Sequence, residues 1–218
     1  MDNLGFGKVQ NVITNMMMER IAAPNGPTAG KIVRPSDGKE AKNIAFVQCA
    51  GSRDENHLPF CSYICCLASL KQATYVREQY GDSKVKIFYI DIRTPGLYEN
   101  RFYAKLQQDA NVSFLKGKVA KIEQGENGDV KVTAEDIHGG GKVTETFDLV
   151  VLATGMEPTA QSLAGAGIKS TWDGFVDQAA LPKGVYAAGT VKAPVDVART
   201  AQDATAAVMK SIQSLRRN

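Results

Sequence analysis

The sequence predicts an α/β fold in which a parallel sheet of the doubly wound type is joined to an antiparallel β-meander. Three observations carry this. Short apolar runs alternate with longer segments of helical spacing, the order that a parallel sheet with crossover helices produces. A more polar stretch with alternating residues is punctuated by the turn signals GENGD and HGGGK, the pattern of antiparallel hairpins. A further apolar run, DLVVLATG at 148–155, then returns as a buried strand.

The elements follow in order. Residues 1–42 are rich in Gly, Pro and Asn and read as loop and turn, with helical potential only in VITNMMMERIA. NIAFVQ at 43–48 suits a buried strand. In SYICCLASLKQATYVREQY (62–80), Ile64, Leu67, Leu70, Ala73 and Val76 recur at helical spacing behind Ser62 as N-cap. KVKIFYIDI (84–92) is a second strand, LYENRFYAKLQQDA (97–110) a second helix and VSFLKG (112–117) a short strand. The meander spans 119–147, GVYAAGT (184–190) reads as a strand, and a final helix runs from about Asp196 to Leu215. Three segments result: 1–42 connecting, 43–147 an α/β domain carrying the cysteines, and 148–218 a C-terminal segment.

A net charge of +3 on 218 residues, with the basic side chains scattered, argues against a nucleic-acid partner. No apolar run approaches the length of a membrane span, and MDNLGFGKVQ lacks the layout of a secretory signal. The expected address is the cytoplasm, any membrane association coming through partners. Thiols stay reduced there, and clustered cysteines bind metal or do redox chemistry more often than they form staples.

All four cysteines, Cys49, Cys61, Cys65 and Cys66, fall within eighteen residues. Cys49 ends the first strand, Cys61 closes the loop, and Cys65 and Cys66 open the next helix, whose N-terminal dipole favours thiolate. In an open α/β sheet this is the ligand-collecting end. Four thiolates suit zinc or an iron–sulfur cluster. The spacing C-x11-C-x3-C-C is not the paired spacing of structural zinc. Adjacent helical cysteines point about 100° apart, which suits a bulky cubane better than a single ion. His57 reads as an exposed loop residue rather than a ligand. A redox dithiol of Cys61 with Cys65 or Cys66 remains open, as do buried structural cysteines.

The loop after the first strand, CAGSRDENH, has a single glycine where a dinucleotide site would carry G-x-G-x-x-G. Asp91 lies about forty residues on, against about twenty for a ribose-binding carboxylate. Nicotinamide binding is not expected.

FDLVVLATGMEP (147–158) followed by GVYAAGTVKAPVDVARTAQDATAAV (184–208) resembles the C-terminal signatures of thioredoxin-reductase-like flavoproteins. Joined to QCAGSRD…CSYICCLASLKQA, NVITNMMMER and GPTAGKIVRPSDGKE, the whole chain resembles the family of heterodisulfide reductase A subunits. That family includes the A subunit of the quinone-interacting membrane-bound oxidoreductase of sulfate reducers. The resemblance implies a Rossmann-like, thioredoxin-reductase-like sheet. Residues 1–42 and 148–218 would be parts of an FAD-binding domain, and 43–147 a nucleotide-domain-like α/β domain carrying the cysteine cluster. It implies an FAD-containing iron–sulfur protein that passes electrons among the other members of an oxidoreductase complex. Its partners would include adenylylsulfate reductase and a membrane quinone-reactive subunit, in sulfate metabolism.

On this reading a [4Fe–4S] cluster is held by Cys49, Cys61, Cys65 and Cys66. A flavin edge is formed by Gly155, Gly189, Thr190 and the start of the last helix at Val197. No catalytic side chain is assigned. Two departures stand out. The G-x-G-x-x-G strand of the family's FAD site is absent, so the chain reads as the C-terminal half of such a protein, inactive alone. Thr190 replaces the Asp that follows A-A-G in flavoproteins. The chain is therefore expected to bind FAD poorly. The alternatives are a pyridine-nucleotide disulfide oxidoreductase using a Cys61–Cys65 dithiol and a non-catalytic, zinc-stapled interaction domain.

Overall fold

In the computed structural model, which describes residues 4–216, the continuously apolar runs become strands buried on both faces. The described residues fall into two compact units. One is drawn from Met1–Gly51 and Cys65–Thr154, the other from Ser52–Ile64 and Gly155–Asn218.

In chain order the first unit contains β1 (Val12–Thr14), α1 (Asn15–Ala22), β2 (Asn43–Ala50), α2 (Cys65–Gln79), β3 (Lys84–Tyr89), α3 (Lys105–Gln107), β4 (Val112–Lys116), β5 (Val119–Gln124), β6 (Val130–Asp136), β7 (Gly141–Phe147) and β8 (Leu149–Thr154). A parallel sheet takes the order β1-β8-β2-β3-β4, and β5, β6 and β7 form an antiparallel sheet of their own. This is the mixed α/β architecture that the sequence predicts.

Alternation along the central strands fills two cores. Ile44 and Phe46 of β2, with Leu149 and Val151 of β8, join Met18 of α1 and Leu70, Ala73 and Val76 of α2. Ala45, Val47, Val150 and Leu152 face the other way, against Val130, Val132, Ala134 and Phe147 of the meander. With both faces covered, β2 and β8 carry no polar alternation, as parallel strands require. Each fully buried Leu or Phe contributes about 1.5–3 kcal/mol. Beyond the end of α2, the Arg77 guanidinium donates to the carbonyls of Gly81 (2.9 Å) and Ser83 (2.6 Å) and, through Nε, to Asp109 (2.8 Å).

The sequence reading differs from the structure in four places. Val12–Thr14, expected at the start of a helix, pairs instead with Val150–Leu152 as the edge strand β1. The helix begins at Asn15, and the Thr14 hydroxyl accepts the Met17 N–H at 3.2 Å as its cap. Ser62 is not the cap of α2, which starts three residues later at Cys65. The helix expected over 97–110 is present but shorter and of another type, a six-residue π-helix at Glu99–Ala104 running into the three-residue α3.

The fourth difference lies in the second unit. Residues 184–190, expected as a strand, form none. A strand must hand its backbone N–H and C=O groups to a neighbour. The described residues of this unit hold only isolated bridges, Ser52 with Leu58 and Ser170 with Val176. Short 3-10 turns at Ala160–Ala166, Gln178–Ala180 and Gly189–Val191 lead to α4 (Val197–Arg216). That helix buries none of its described residues. Segments 1–42 and 148–218 each lend a strand, β1 and β8, to the sheet built around 43–147. Among the described residues, no helix is long and apolar enough to cross a membrane.

Candidate metal centre

β2 closes on Gln48, Cys49 and Ala50, where its register with β8 shifts between Val47 and Ala50. Cys49 takes a left-handed backbone conformation there (φ +54) and is buried. Among the described residues five non-glycine positions have positive φ, and three of them, Cys49, Arg53 and Tyr63, lie within the cysteine segment. Each costs about 1–2 kcal/mol relative to ordinary backbone. Such outliers concentrate at ligand-binding and catalytic loops.

Cys65 and Cys66 are the first residues of α2, and both are buried. The Cys66 Sγ lies 3.3 Å from Gln48 Oε1 and 3.7 Å from the Asp91 carbonyl oxygen. Cys61 belongs to the second unit and is partly exposed, its Sγ accepting the Tyr63 N–H at 3.4 Å. None of the four is in a disulfide. His57 is exposed, as its loop position predicts.

Among the described residues no group of three or more His, Cys, Asp and Glu side chains is placed so that it could hold a metal ion. What the first unit does hold is donors of one kind: three buried thiols, Cys49 near the carboxyl end of β2 and Cys65 and Cys66 at the amino end of α2. Soft thiolates select zinc and iron–sulfur clusters over hard cations. One buried polar atom bears on the fit. The Nε2 of Gln48 has no hydrogen-bond partner among the described residues, although the same amide touches Cys66 through its oxygen. A ligating sulfur beside it would supply the missing acceptor.

The second unit holds the four flavin candidates, and they fare unequally. Gly155 is sterically required: a Cβ there would stand 2.1 Å from Ser52 Oγ and 2.9 Å from Leu58 Cδ1. Gly189 is buried at φ +70, and a Cβ would meet Thr200 Cγ2 at 2.8 Å. Its N–H donates to Asp203 Oδ2 (2.7 Å), while the Lys192 ammonium donates to Oδ1 (2.6 Å). The Lys192 ammonium, and after it the Gly189 N–H, holds the Asp203 carboxyl below the usual carboxylate range. Gly189, Lys192, Arg199 and Asp203 line a cavity of about 580 Å³. Gly155, Thr190 and Val197 do not line it, and Thr190 and Val197 are exposed.

The loop between the first two cysteines is knitted to this second unit. Arg53 N–H donates to the Phe60 carbonyl (3.1 Å) and Asp54 N–H to that of Leu58 (3.1 Å). Phe60 meets Phe175 edge to face at 5.2 Å, and the Arg199 guanidinium sits 4.9 Å above the Tyr63 ring. Sequence reasoning missed Gln48, Lys192 and Asp203. A polar residue closing an apolar strand was the one available signal for Gln48. Asp203 engages Gly189 across fourteen residues, with no local pattern to announce it.

No family model matches the chain. It is 36% identical over 98% of its length to the second iron–sulfur A subunit of the CoB–CoM heterodisulfide reductase of Methanopyrus kandleri, covering 35% of that protein. It is 37% identical over 97% of its length to the A subunit of the ferredoxin:CoB–CoM heterodisulfide reductase of Methanosarcina mazei, covering 28%. A protein of Archaeoglobus profundus, named as similar to the heterodisulfide reductase A subunit, is 33% identical over 93% of the chain, which covers 33% of it. Among solved structures, T. acidophilum thioredoxin reductase superposes on 95% of this chain and 58% of its own (TM-score 0.57, 18% identity). Lactococcus lactis thioredoxin reductase covers 81% of this chain and 54% of its own (TM-score 0.55, 14% identity). These structures show the fold: a thioredoxin-reductase-like Rossmann arrangement. The chain spans about a third of the curated relatives' length, and over nearly all its own residues it is a homologue of the heterodisulfide reductase A subunit.

Proposed function

We propose that the protein is an electron-transfer module of a heterodisulfide-reductase-like oxidoreductase subunit, with Cys49, Cys61, Cys65 and Cys66 holding a [4Fe–4S] cluster. The observation that carries this reading is the cysteine segment itself. Every thiol of the chain falls within eighteen residues, and Cys49, Cys65 and Cys66 are buried where β2 ends and α2 begins. The Methanopyrus kandleri homologue bears an iron–sulfur name. When bound, the cluster would supply one-electron steps and an FAD two-electron steps, the potentials being set by the surrounding protein.

The chain's own residues do the holding. Cys49 takes a left-handed backbone conformation where the register of β2 with β8 shifts, and the start of α2 places two thiols in the field of a helix N-terminus. Gly189 lies in the lining of the cavity that Lys192 and Arg199 share with Asp203, and with Lys192 paired to Asp203 Arg199 is the cation left for an anionic cofactor. With no G-x-G-x-x-G in the sequence, this chain alone is proposed to bind FAD weakly. A stoichiometric, tightly held flavin in the purified 218-residue chain would overturn that.

We further infer partner subunits, a membrane quinone-reactive protein among them, and a place in sulfate metabolism beside adenylylsulfate reductase. The sequence resemblance supports these finer assignments. Affinity purification from cells, read by the identity of co-purifying proteins, tests them.

The first test is iron and acid-labile sulfide content after purification without oxygen. About four of each per chain, with a broad absorption band at about 400 nm, is the result expected of a cubane. Zinc alone, or four titratable thiols and no metal, overturns the reading. Cys49→Ala separates the alternatives: it should abolish a cluster but leave a Cys61–Cys65 dithiol working.

A further inference from the structure

We propose that Gln48 is a positioning residue of the cysteine site, its side-chain amide turning to donate an N–H to the Cys66 sulfur when that sulfur ligates metal. The inference rests on the reading that Cys66 is a ligand. Three observations carry it. Gln48 is only 5% exposed and follows the apolar run Ile44 to Val47 within β2. Its Oε1 lies 3.3 Å from Cys66 Sγ. Its Nε2 is buried with no acceptor among the described residues.

In the thiol state this arrangement is half satisfied. The Cys66 S–H has two oxygen acceptors at hand, Gln48 Oε1 and, at 3.7 Å, the Asp91 carbonyl. The amide nitrogen has none, and a buried donor without an acceptor is unfavourable. Metal ligation reverses the polarity at sulfur. The thiol proton leaves to solvent, the sulfur–metal bond takes its place, and the sulfur can then only accept. An amide oxygen held against it becomes repulsive.

A half-turn about the terminal torsion of Gln48 brings its N–H to the sulfur and takes its oxygen away. That torsion is broad and nearly two-fold, so exchanging the oxygen and nitrogen requires no new space. The orphaned N–H gains a sulfur acceptor, and the oxygen leaves the ligand. A neutral donor suits the position for a second reason. Four thiolates concentrate negative charge, and a carboxylate of the same shape would add to it. Hydrogen bonds to cluster sulfur favour the more reduced state, so Gln48 is expected to raise the reduction potential.

The test is a redox titration of protein purified without oxygen, for the unmodified chain, Gln48→Leu and Gln48→Glu, each with iron analysis. Gln48→Leu keeps nearly the same volume without the donor. The expected result is unchanged iron content with a lower midpoint potential. Gln48→Glu, the closest match in shape, should lie lower still or hold less iron. Potentials of both variants equal to that of the unmodified chain overturn the proposal while leaving the metal reading intact. An unmodified chain that contains no iron overturns the metal reading itself. Should Gln48→Leu fail to fold, the isosteric Gln48→Glu decides alone: full iron content at an unshifted potential ends the proposal.

Discussion

The two compact units answer the same requirement, covering apolar surface and backbone polar groups, in opposite ways. In the first, β2 and β8 sit in mid-sheet with paired neighbours on both sides and a core on each face. In the second, the described residues form isolated bridges and short turns, and a twenty-residue helix leaves Val197, Val208 and Leu215 exposed. Hydrophobic content does not separate them; partnership does. A strand-like sequence becomes a strand only where another strand accepts its hydrogen bonds, and an amphipathic helix acquires a buried face only where something packs on it.

The sharpest attempt to break this contrast compares one large side chain from each unit. Phe46→Ala empties the centre of β2, where the ring is fully buried, and should cost about 3–5 kcal/mol. Leu215→Ala on α4, where the side chain is 78% exposed, should stay within about 0.5 kcal/mol. Urea unfolding of both variants checks this. Comparable losses would mean that α4 is covered in solution.

A smaller effect tests whether the second unit is ordered where it is most constrained. Gly155→Ala drives a methyl to within 2.1 Å of Ser52 Oγ and should cost about 1–3 kcal/mol, as overpacking does. Hydrogen exchange should show it first in residues 52–58. Exchange unchanged there would mean that the bridge between Ser52 and Leu58 is not maintained in solution.

Arg77→Leu belongs to the same range. It leaves the Gly81 and Ser83 carbonyls without their charged donor, a loss of about 1–3 kcal/mol. The pH dependence of this site has a definite sign. The Arg77 guanidinium holds the Asp109 carboxyl below the usual carboxylate range. The stability it contributes is therefore complete above the ordinary Asp titration and disappears as pH falls through the lowered value. Asp109→Asn should flatten the acid limb of the stability–pH curve. An acid limb identical to that of the unmodified chain would show that the pair contributes nothing.

The smallest effect concerns Lys192. Its ammonium is the first cause of the lowered Asp203 carboxyl, and the same sign applies: the linkage is lost on the acid side. Lys192→Met should bring Asp203 back towards the ordinary range, read as its carboxyl titration by nuclear magnetic resonance.

The parallel sheet was legible because β2, β3 and β8 carry their burial in their own residues: Ile44, Phe46, Val85, Ile87 and the run from Leu149 to Leu152. β1 was not, since Val12–Thr14 is continuous with a helical pattern and owes its strand geometry to Val150–Leu152. GVYAAGT misled for the mirror reason: its composition suits a strand, and no described strand pairs with it. At the candidate site, the crowding of the cysteines was visible as spacing. Gln48 against Cys66 and Asp203 against Gly189 were not, because each is a relation through space between residues eighteen and fourteen positions apart. Of the flavin residues, the glycines read from sequence meet real steric demands, whereas Thr190 and Val197 are exposed.

The left-handed backbone at Cys49, Arg53 and Tyr63 has a consequence for how this segment tolerates change. At each of these positions glycine would sit more comfortably, by about 1–2 kcal/mol of relieved strain. Glycine scanning thus becomes a gauge with its zero displaced. A position whose glycine variant is more stable but less able to bind metal has its side chain for function. One whose glycine variant gains stability and loses nothing has it by accident. For most residues in most proteins the two influences run together and cannot be read apart; here the backbone separates them.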